Sequence, residues 1–417
     1  MELHATINQA QFYLERNRLD EAEKVLRAYL GQDPERGEIL HMLAIVLSRA
    51  KQHKEAEATI QYAISLEPDN AHYLYIYAII LVERDQPKKA EEYIRQAIQF
   101  NPEEAEYFGL LANIKLVLKD FQAALDFAEQ GLRINPASIY CLNMKSTAQV
   151  KLGQADEASN PIEEALKRDP ENAYTHAVYG WGLLERGEPK EALKYFREAL
   201  RLDPELNSAR QGMMEALKSQ YLFYRLFMQF FFWMSNQGAR VQWAVILGIV
   251  IGGNVLRDWA DKDETLRPFL MTIYGGLVGF ALLTWIITPL SNLVLRLNPY
   301  GRFLLNKDQT RASTYVGVAL ATGVLGILAY IITGMTGMMA VGFFGFTMML
   351  PLGSMFSRGE GRKRLFLVGY TILMLVVGGI GIFLTFSLNS TDHLFALIYS
   401  LLFVGYTWLA NLITIRS

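Results

Sequence analysis

Polar and apolar residues are distributed differently in the two halves of the chain. Charged residues are frequent up to about residue 218, whereas six long apolar segments follow residue 240. These segments begin at Val241, Pro268, Tyr315, Met335, Leu365 and His393. Because about 20 apolar helical residues span the hydrocarbon core of a bilayer, the pattern predicts six transmembrane helices. The first segment is the shortest, so the sequence leaves open whether it crosses the bilayer fully.

The charged half repeats with a constant period. Prolines occur at equal intervals, at Pro34, Pro68, Pro102, Pro136, Pro170 and Pro204. Small residues keep the same step, as at Ala10, Ala44, Ala78, Ala112, Ser146 and Gly180, and again at Ala22, Ala56, Ala90, Ala124, Ala158 and Ala192. Proline after a helix ends it, and small residues let two antiparallel helices approach closely. The period therefore predicts six helical hairpins that must stack to bury their apolar faces.

The stretches EAEATIQYAISLEPDN and EALKYFREALRLDPE closely resemble the second helix and turn of tetratricopeptide repeats. This resemblance covers residues 3–204. It implies an all-α, right-handed superhelix of six helix-turn-helix repeats, whose concave face usually binds a peptide or a helix. Catalysis is not the usual expectation for such repeats. The junction that begins at Ala209 also resembles that of bacterial membrane proteins which join such repeats to a C-terminal multispan domain, a likeness that brings no established activity.

The family resemblance further implies which residues line the concave groove. In this chain they are Asn8, His41, His72, Tyr75, Asn113, Tyr140, Asn143, Tyr174 and Trp181. The lysines of the family's carboxylate-binding groove are missing from the early repeats, so a clamp for a C-terminal carboxylate is not expected. Aromatic, imidazole and amide side chains favour an uncharged extended peptide or an amphipathic helix. The alternative is that several of these residues pack within the superhelix.

Charge in the short loops predicts how the apolar half is oriented. One side collects Arg240, Arg296, Arg302, Lys307, Arg311, Arg358, Arg362, Lys363, Arg364 and Arg416. The opposite side has only Arg257, Lys262 and Arg267, diluted by four carboxylates. Because cytoplasmic loops carry an excess of Lys and Arg, the repeats and the C-terminus are both expected in the cytosol.

The stretch FYRLFMQFFFWMS, residues 223–235, is too short to span a bilayer and carries Arg225 near its start. Its aromatic residues cover most of a helix circumference, which is typical of an interfacial helix. We therefore predict that Arg225, Phe230, Phe231 and Trp233 lie at the membrane interface. A pocket for a small aromatic ligand is the weaker alternative, because convergent polar groups are missing from this stretch.

Glycine pairs within the apolar segments favour close helix packing through small residues. The pairs are Gly275 and Gly279, Gly323 and Gly326, Gly342 and Gly345, and Gly378 and Gly381. Flexibility for transport is the alternative. The turn Gly334–Gly337 predicts a tight hairpin between the third and fourth spans.

Composition limits the kinds of site and function that the chain can have. Residues 1–218 hold 26 Lys/Arg and 35 Asp/Glu, a balance of −9, whereas residues 219–417 hold 14 and 7, a balance of +7. A single cysteine, Cys141, excludes an intrachain disulfide and a multi-cysteine metal site. The first residues do not resemble a secretory signal, so we expect the repeats to stay in the cytosol. Phosphate-binding loops and hydrolase motifs are missing, and no charged residue lies in the middle of an apolar segment.

Together these patterns predict an all-α protein of three parts: a cytosolic repeat domain with a capping helix over 1–218, an interfacial helix over 219–238 and a six-span domain over 239–417. We expect a non-catalytic scaffold in the bacterial inner membrane that binds a protein or peptide, with no cofactor, metal or nucleic-acid partner. Homo-oligomerisation is left open.

Two other functions remain as alternatives. The spans could form a transporter, channel or lipid-handling device regulated by the repeats, because anchoring alone needs only one helix. A membrane enzyme would instead need a titratable cluster at the inner surface, drawn from Arg302, Asp308 and Glu360.

Overall fold

The computed structural model describes residues 2–154, 156–296, 301–356, 362–388 and 393–415. Within these residues it contains 21 helices and no strands, so the expected all-α class is confirmed. The chain divides into two compact units, Met1–Gly212 and Met213–Ser417, which are described separately below.

The N-terminal unit is a row of six helical hairpins. The first helices of the hairpins are α1 (Leu3–Glu15), α3 (Gly37–Arg49), α5 (Ala71–Glu83), α7 (Ala105–Val117), α9 (Ile139–Lys151) and α11 (Ala173–Glu185). The second helices are α2 (Leu19–Leu30), α4 (His53–Leu66), α6 (Pro87–Phe100), α8 (Phe121–Ile134), α10 (Ser159–Arg168) and α12 (Pro189–Leu202). The next helix, α13 (Asn207–Lys218), begins in this unit.

Each turn inside a hairpin contains one residue in the left-handed region. These residues are Asn17, Lys51, Asp85, Lys119, Gly153 and Gly187, which recur at the interval of the prolines and have φ between 54° and 79°. The residue after each one donates its backbone N–H to a carbonyl five positions earlier, as Arg18 does to Tyr13. This is the Schellman arrangement, which satisfies the last carbonyls of the first helix and reverses the chain.

The small residues predicted at helix contacts are buried. Ala44, Ala56 and Ala78 have no exposed surface, and the other members of the two small-residue columns are also buried. A Cβ atom added at Gly180 would lie 2.7 Å from the ring of Phe196, so a larger side chain does not fit there. The prediction that small residues bring the hairpin helices together is therefore confirmed.

The C-terminal unit consists of long helices. They are α14 (Leu222–Asn236), α15 (Ala239–Lys262), α16 (Arg267–Leu295), the short α17 (Gly301–Leu304), α18 (Lys307–Thr333), α19 (Thr336–Ser354), α20 (Arg362–Leu388) and α21 (His393–Ile415). A helix therefore covers each of the six predicted apolar segments.

Four of these helices are long and apolar enough to cross a membrane by length and composition: Arg240–Lys262, Lys307–Thr333, Thr336–Ser354 and Lys363–Ser387. In α16 and α21 the apolar stretches found among the described residues are shorter, Ile286–Leu295 and Leu394–Ala410. Membrane association is therefore supported by four helices, and the six-span bundle stays a prediction.

Helices α18 and α19 form the predicted hairpin. Gly334 adopts φ 66° at the end of α18, and the helices then approach until Gly326 faces Gly342 and Gly323 faces Gly345. A Cβ atom at Gly326 or Gly345 would overlap backbone atoms of the opposite glycine. Close packing is thus confirmed for these glycines. It is wrong for Gly275 and Gly279, because no described atom lies within 4 Å of a Cβ added at either position.

The glycine contact should be intolerant of side chains. We expect Gly345→Val to destabilise the C-terminal unit by about 2 kcal/mol or more, because the added atoms would push α18 and α19 apart. Gly379→Val in α20 is the matched control, since a Cβ there meets no described atom within 4 Å. Thermal unfolding of the full chain in detergent measures both; equal midpoints for the two variants would contradict the packing.

Candidate functional site

The first helices of the repeats form one wall of the N-terminal unit. Each packs against the next first helix, from α1 on α3 through to α9 on α11, whereas no two successive second helices among the described residues pack as closely. The elements on the inner side of a curved array lie closer together than those on the outer side. The first helices are therefore the concave wall, and the predicted groove residues all belong to them.

An aromatic ladder crosses this wall from α3 to α7. It consists of His41, His72, Tyr75 and Tyr107, whose successive ring centroids are separated by 5.3, 6.0 and 5.1 Å. Tyr73 supports it from behind, stacked on His41 at 5.4 Å. The predicted residues His41, His72 and Tyr75 are therefore brought together.

Burial keeps the ladder uncharged near neutral pH. Burial, and next the charge of His72, lower the pKa of His41 to about 4. His72 is exposed at the surface of the wall, and desolvation by its neighbours still lowers its pKa. In Tyr75 burial, followed by the charge of Glu106, raises the pKa to about 12. The ladder thus offers neutral rings to a partner.

Further along the wall, residues of α7, α9 and α11 line an open cavity of about 420 Å³, here named the Tyr140 cavity. Glu106, Tyr140, Asn143 and Tyr174 line it together with Ser138. Burial raises the pKa of Tyr140 well above its usual range, and the Tyr174 hydroxyl adds to the shift.

The remaining predicted groove residues have different environments. Asn113 donates its side-chain amide to the Tyr140 hydroxyl at 3.2 Å, and Asn8 is exposed on α1. Asn143 is 1 % exposed and donates to Thr175 at 2.9 Å. Trp181 packs edge-on against Phe196 and donates its indole N–H to the Ser208 carbonyl, so much of its side chain is engaged within the repeats.

Two residues of the wall were not among the predicted ones. Glu106 lies one repeat before Tyr140 and two repeats before Tyr174, so the period itself assigns it to the same column. Tyr107 completes the ladder but is only 4 % exposed. The residues at the equivalent position of the other repeats are also mostly buried. The repeat period could have found Glu106, whereas Tyr107 required the packing between α5 and α7.

In the C-terminal unit, α14 uses one face for packing and leaves the rest uncovered. Tyr224 and Met228 pack against Ile287 of α16, and the ring of Phe230 lies 5.2 Å from that of Phe280. The predicted interface residue Arg225 is half-buried. Phe231 and Trp233 are about half exposed, as are Phe223 and Leu226. The helix therefore has both a packed face and an exposed aromatic one.

A second, polar cavity of about 450 Å³ lies among α16, α18 and α19. Asn292 is 2 % exposed there, and its Oδ1 atom has no hydrogen-bond partner among the described residues. Asp308 also lines the cavity, where Arg364 donates two hydrogen bonds of 3.0 Å to its carboxylate.

The titratable cluster that an enzyme would need lies largely outside the described residues. Arg358, Glu360 and Arg416 lie outside them, as do the side chains of Arg302 and Arg362. No group of three or more His, Cys, Asp or Glu side chains in the described part of the chain could hold a metal ion.

The lowered pKa of His41 makes a stability prediction. Its folded pKa of about 4 lies below the value near 6.5 of an unfolded histidine, so protonation favours unfolding. We expect its contribution to be complete above pH 6.5 and to be lost as the pH falls toward 4.

His41→Asn should flatten this part of the pH profile, measured as thermal unfolding of the full chain in detergent. His4→Asn, at an exposed position of α1, is the control. A His41→Asn profile that runs parallel to the wild type between pH 6.5 and 4 would refute the assignment.

Comparisons with known proteins agree with the repeat assignment. A family model described as tetratricopeptide repeat matches residues 13–74 and 47–114, and a second model of that description matches residues 143–207. No curated protein matches the chain.

Several solved repeat structures are similar to parts of the chain. YrrB, described as a TPR protein with an unusual peptide-binding site, is 18% identical over 44% of this chain and 95% of its own, with a TM-score of 0.31. TTC0263, a thermophilic TPR protein of Thermus thermophilus, is 18% identical over 43% and 98%, with a TM-score of 0.41. The pilF protein of Pseudomonas aeruginosa is 22% identical over 50% and 95%, with a TM-score of 0.39. By the family models, residues 13–114 and 143–207 of the N-terminal unit are similar to tetratricopeptide repeats.

Proposed function

We propose that the chain is a membrane-anchored scaffold whose repeats bind a protein or peptide segment on the concave wall. The aromatic ladder of His41, His72, Tyr75 and Tyr107 carries this proposal. Rigid rings provide contact area at a low cost in conformational entropy, and tyrosine is enriched among the residues that dominate binding energy. Tetratricopeptide repeats generally bind protein or peptide partners and are generally not enzymes, which agrees with a binding role.

Membrane anchoring is supported by the four apolar helices and by the exposed aromatic face of α14. Aromatic rings and the long arginine side chain suit the boundary between headgroups and hydrocarbon. We place the repeats and the C-terminus in the cytosol, because the loops on their side of the predicted spans hold most of the Lys and Arg residues. A bacterial inner membrane is the proposed location.

Anchoring would strengthen binding without adding contacts. A repeat domain confined to the membrane surface meets membrane-bound partners at a raised effective concentration. The scaffold would therefore retain a partner even when the affinity of the concave wall is modest.

The binding role predicts that the groove tyrosines are needed for partner retention. Tyr174 is 41 % exposed, so Tyr174→Ala removes contact area without opening a core cavity. We expect this variant and Tyr75→Ala each to lower partner recovery by about tenfold or more. Quantitative mass spectrometry of proteins that copurify with the full chain from native membranes measures the loss.

Tyr62→Ala is the matched control for this experiment. Tyr62 is equally exposed but lies on α4, a second helix outside the concave wall. The groove proposal fails if every copurifying protein is retained by the groove variants as well as by the control.

The proposed orientation predicts which turns face the outside. In a Cys141→Ala background, we expect a cysteine at Met335, between α18 and α19, to react with an impermeant maleimide on intact cells. A cysteine at Lys307, the first residue of α18, should react only after permeabilisation. The opposite labelling pattern would invert the topology, and labelling of both on intact cells would exclude a span between them.

The polar cavity at Asn292 favours a second function, in which the membrane helices move a solute or a lipid. A buried amide oxygen without a described partner is an unusual feature in a purely anchoring bundle. The backbone-to-backbone packing of α18 on α19 favours the scaffold instead, because it is the packing expected of a static bundle. Flux or lipid movement in proteoliposomes that is abolished by Asn292→Leu would select the second function.

A further inference from the structure

The Tyr140 cavity has an acidic group that the peptide groove expected from the sequence did not include. Glu106, Tyr140 and Tyr174 occupy the same position of three successive repeats and lie side by side on α7, α9 and α11. The Ser138 hydroxyl donates to Glu106 Oε1 at 2.8 Å and fixes the carboxylate. No described residue donates to the other carboxylate oxygen, Oε2.

Asn143, which lines the same cavity, carries a buried amide oxygen. Asn143 donates through Nδ2 to Thr175 at 2.9 Å, and Thr175 in turn donates to Asn172 at 3.1 Å, so the orientation of the amide is fixed. Its Oδ1 atom has no hydrogen-bond partner among the described residues, although the side chain is 1 % exposed. Buried acceptors are normally paired, so this oxygen is an unmet hydrogen-bond acceptor beside the cavity.

The charge of the cavity indicates which charge its ligand carries. None of its lining residues is Lys or Arg, and the repeat half as a whole has a balance of −9. The charge of Glu106 reaches the ladder, where it is the largest contribution after burial to the raised pKa of Tyr75. An acidic ligand group would be repelled, whereas a cation would neutralise the carboxylate.

We propose that the Tyr140 cavity takes an arginine side chain of the partner segment. The guanidinium donates to Glu106 Oε2, and its flat face packs against the rings of Tyr140 and Tyr174. Arginine fits better than lysine, because its planar group presents several donors at once and stacks on aromatic rings. This inference rests on the proposed binding role of the concave wall, and it replaces an uncharged segment by a basic one.

The test uses the full chain in nanodiscs of phosphatidylcholine, which has no net charge and so does not itself attract basic peptides. Four dye-labelled peptides share a neutral background and differ at one central residue: arginine, citrulline, lysine or glutamate. Citrulline keeps the shape of arginine without its charge. Fluorescence anisotropy up to millimolar protein gives the affinities.

We expect the arginine peptide to bind about tenfold more tightly than the citrulline peptide, the size of one charge-assisted hydrogen bond. Glu106→Gln should remove this ratio, because glutamine still accepts from Ser138 but has no charge. Glu103→Gln makes the same charge change at an exposed position before α7 and should keep the ratio. The preference should also weaken with added salt.

Three results would overturn the inference. They are equal binding of arginine and citrulline peptides, a ratio that survives Glu106→Gln, and failure of the arginine peptide to bind at all. Each leaves the groove proposal to be decided separately, because the copurification experiment includes Tyr75→Ala, which lies outside the Tyr140 cavity, and uses no charged peptide. Glu106→Gln can also be tested by copurification. If this variant loses the arginine preference but recovers the partner unchanged, the Tyr140 cavity is not part of the function and the aromatic ladder is retained.

Discussion

Close approach of helices across small side chains is the constraint on which both units depend. In the repeats, alanines such as Ala44 and Ala56 are fully buried and let each hairpin close. In the C-terminal unit, Gly326 and Gly342 bring two backbones into contact. A larger side chain at any of these positions would separate the helices and expose the apolar residues around them. The recurrence of this contact in every repeat fixes where all other side chains of the array lie.

That fixed geometry is what allows different chemistry at equivalent positions. The column containing His72, Glu106, Tyr140 and Tyr174 holds an imidazole, a carboxylate and two phenols in successive repeats. Because the small-residue columns sustain the fold, this column is released from packing and can vary. The result is a wall that changes from a neutral aromatic ladder at α3–α7 to an acidic cavity at α7–α11. A segment lying along the wall would meet these surfaces in order, which specifies its direction as well as its composition.

The sequence predicts the features that depend on the repeat period better than those that depend on how deeply a side chain is buried. Six hairpins, buried alanines and the α18–α19 turn all follow from spacing. The same spacing places Asn143 and Trp181 near the groove but does not reveal that one is buried against Thr175 and the other engaged with Phe196. Left-handed turn residues such as Lys51 were also hidden, because the Schellman bonds rather than glycine enforce that conformation there. Gly275 shows the converse limit: its spacing suggested a close contact, but no described atom lies within 4 Å of a Cβ added there.

How tightly the membrane helices pack separates the two functions considered for them. Transport requires at least one element with two arrangements, and tightly packed interfaces shift only between discrete states. Helices α18 and α19 are poor candidates for such motion, because Gly323 and Gly345 leave no space for either backbone to slide. Helix α16 is different: Pro289 interrupts its hydrogen bonding, and Asn292 one turn later has a buried oxygen without a described partner. Helix α16 is therefore a better candidate than α18 or α19 for a movement that accompanies transport, whereas a scaffold needs no such movement. Mobility of α16 relative to the α18–α19 hairpin would distinguish the two functions.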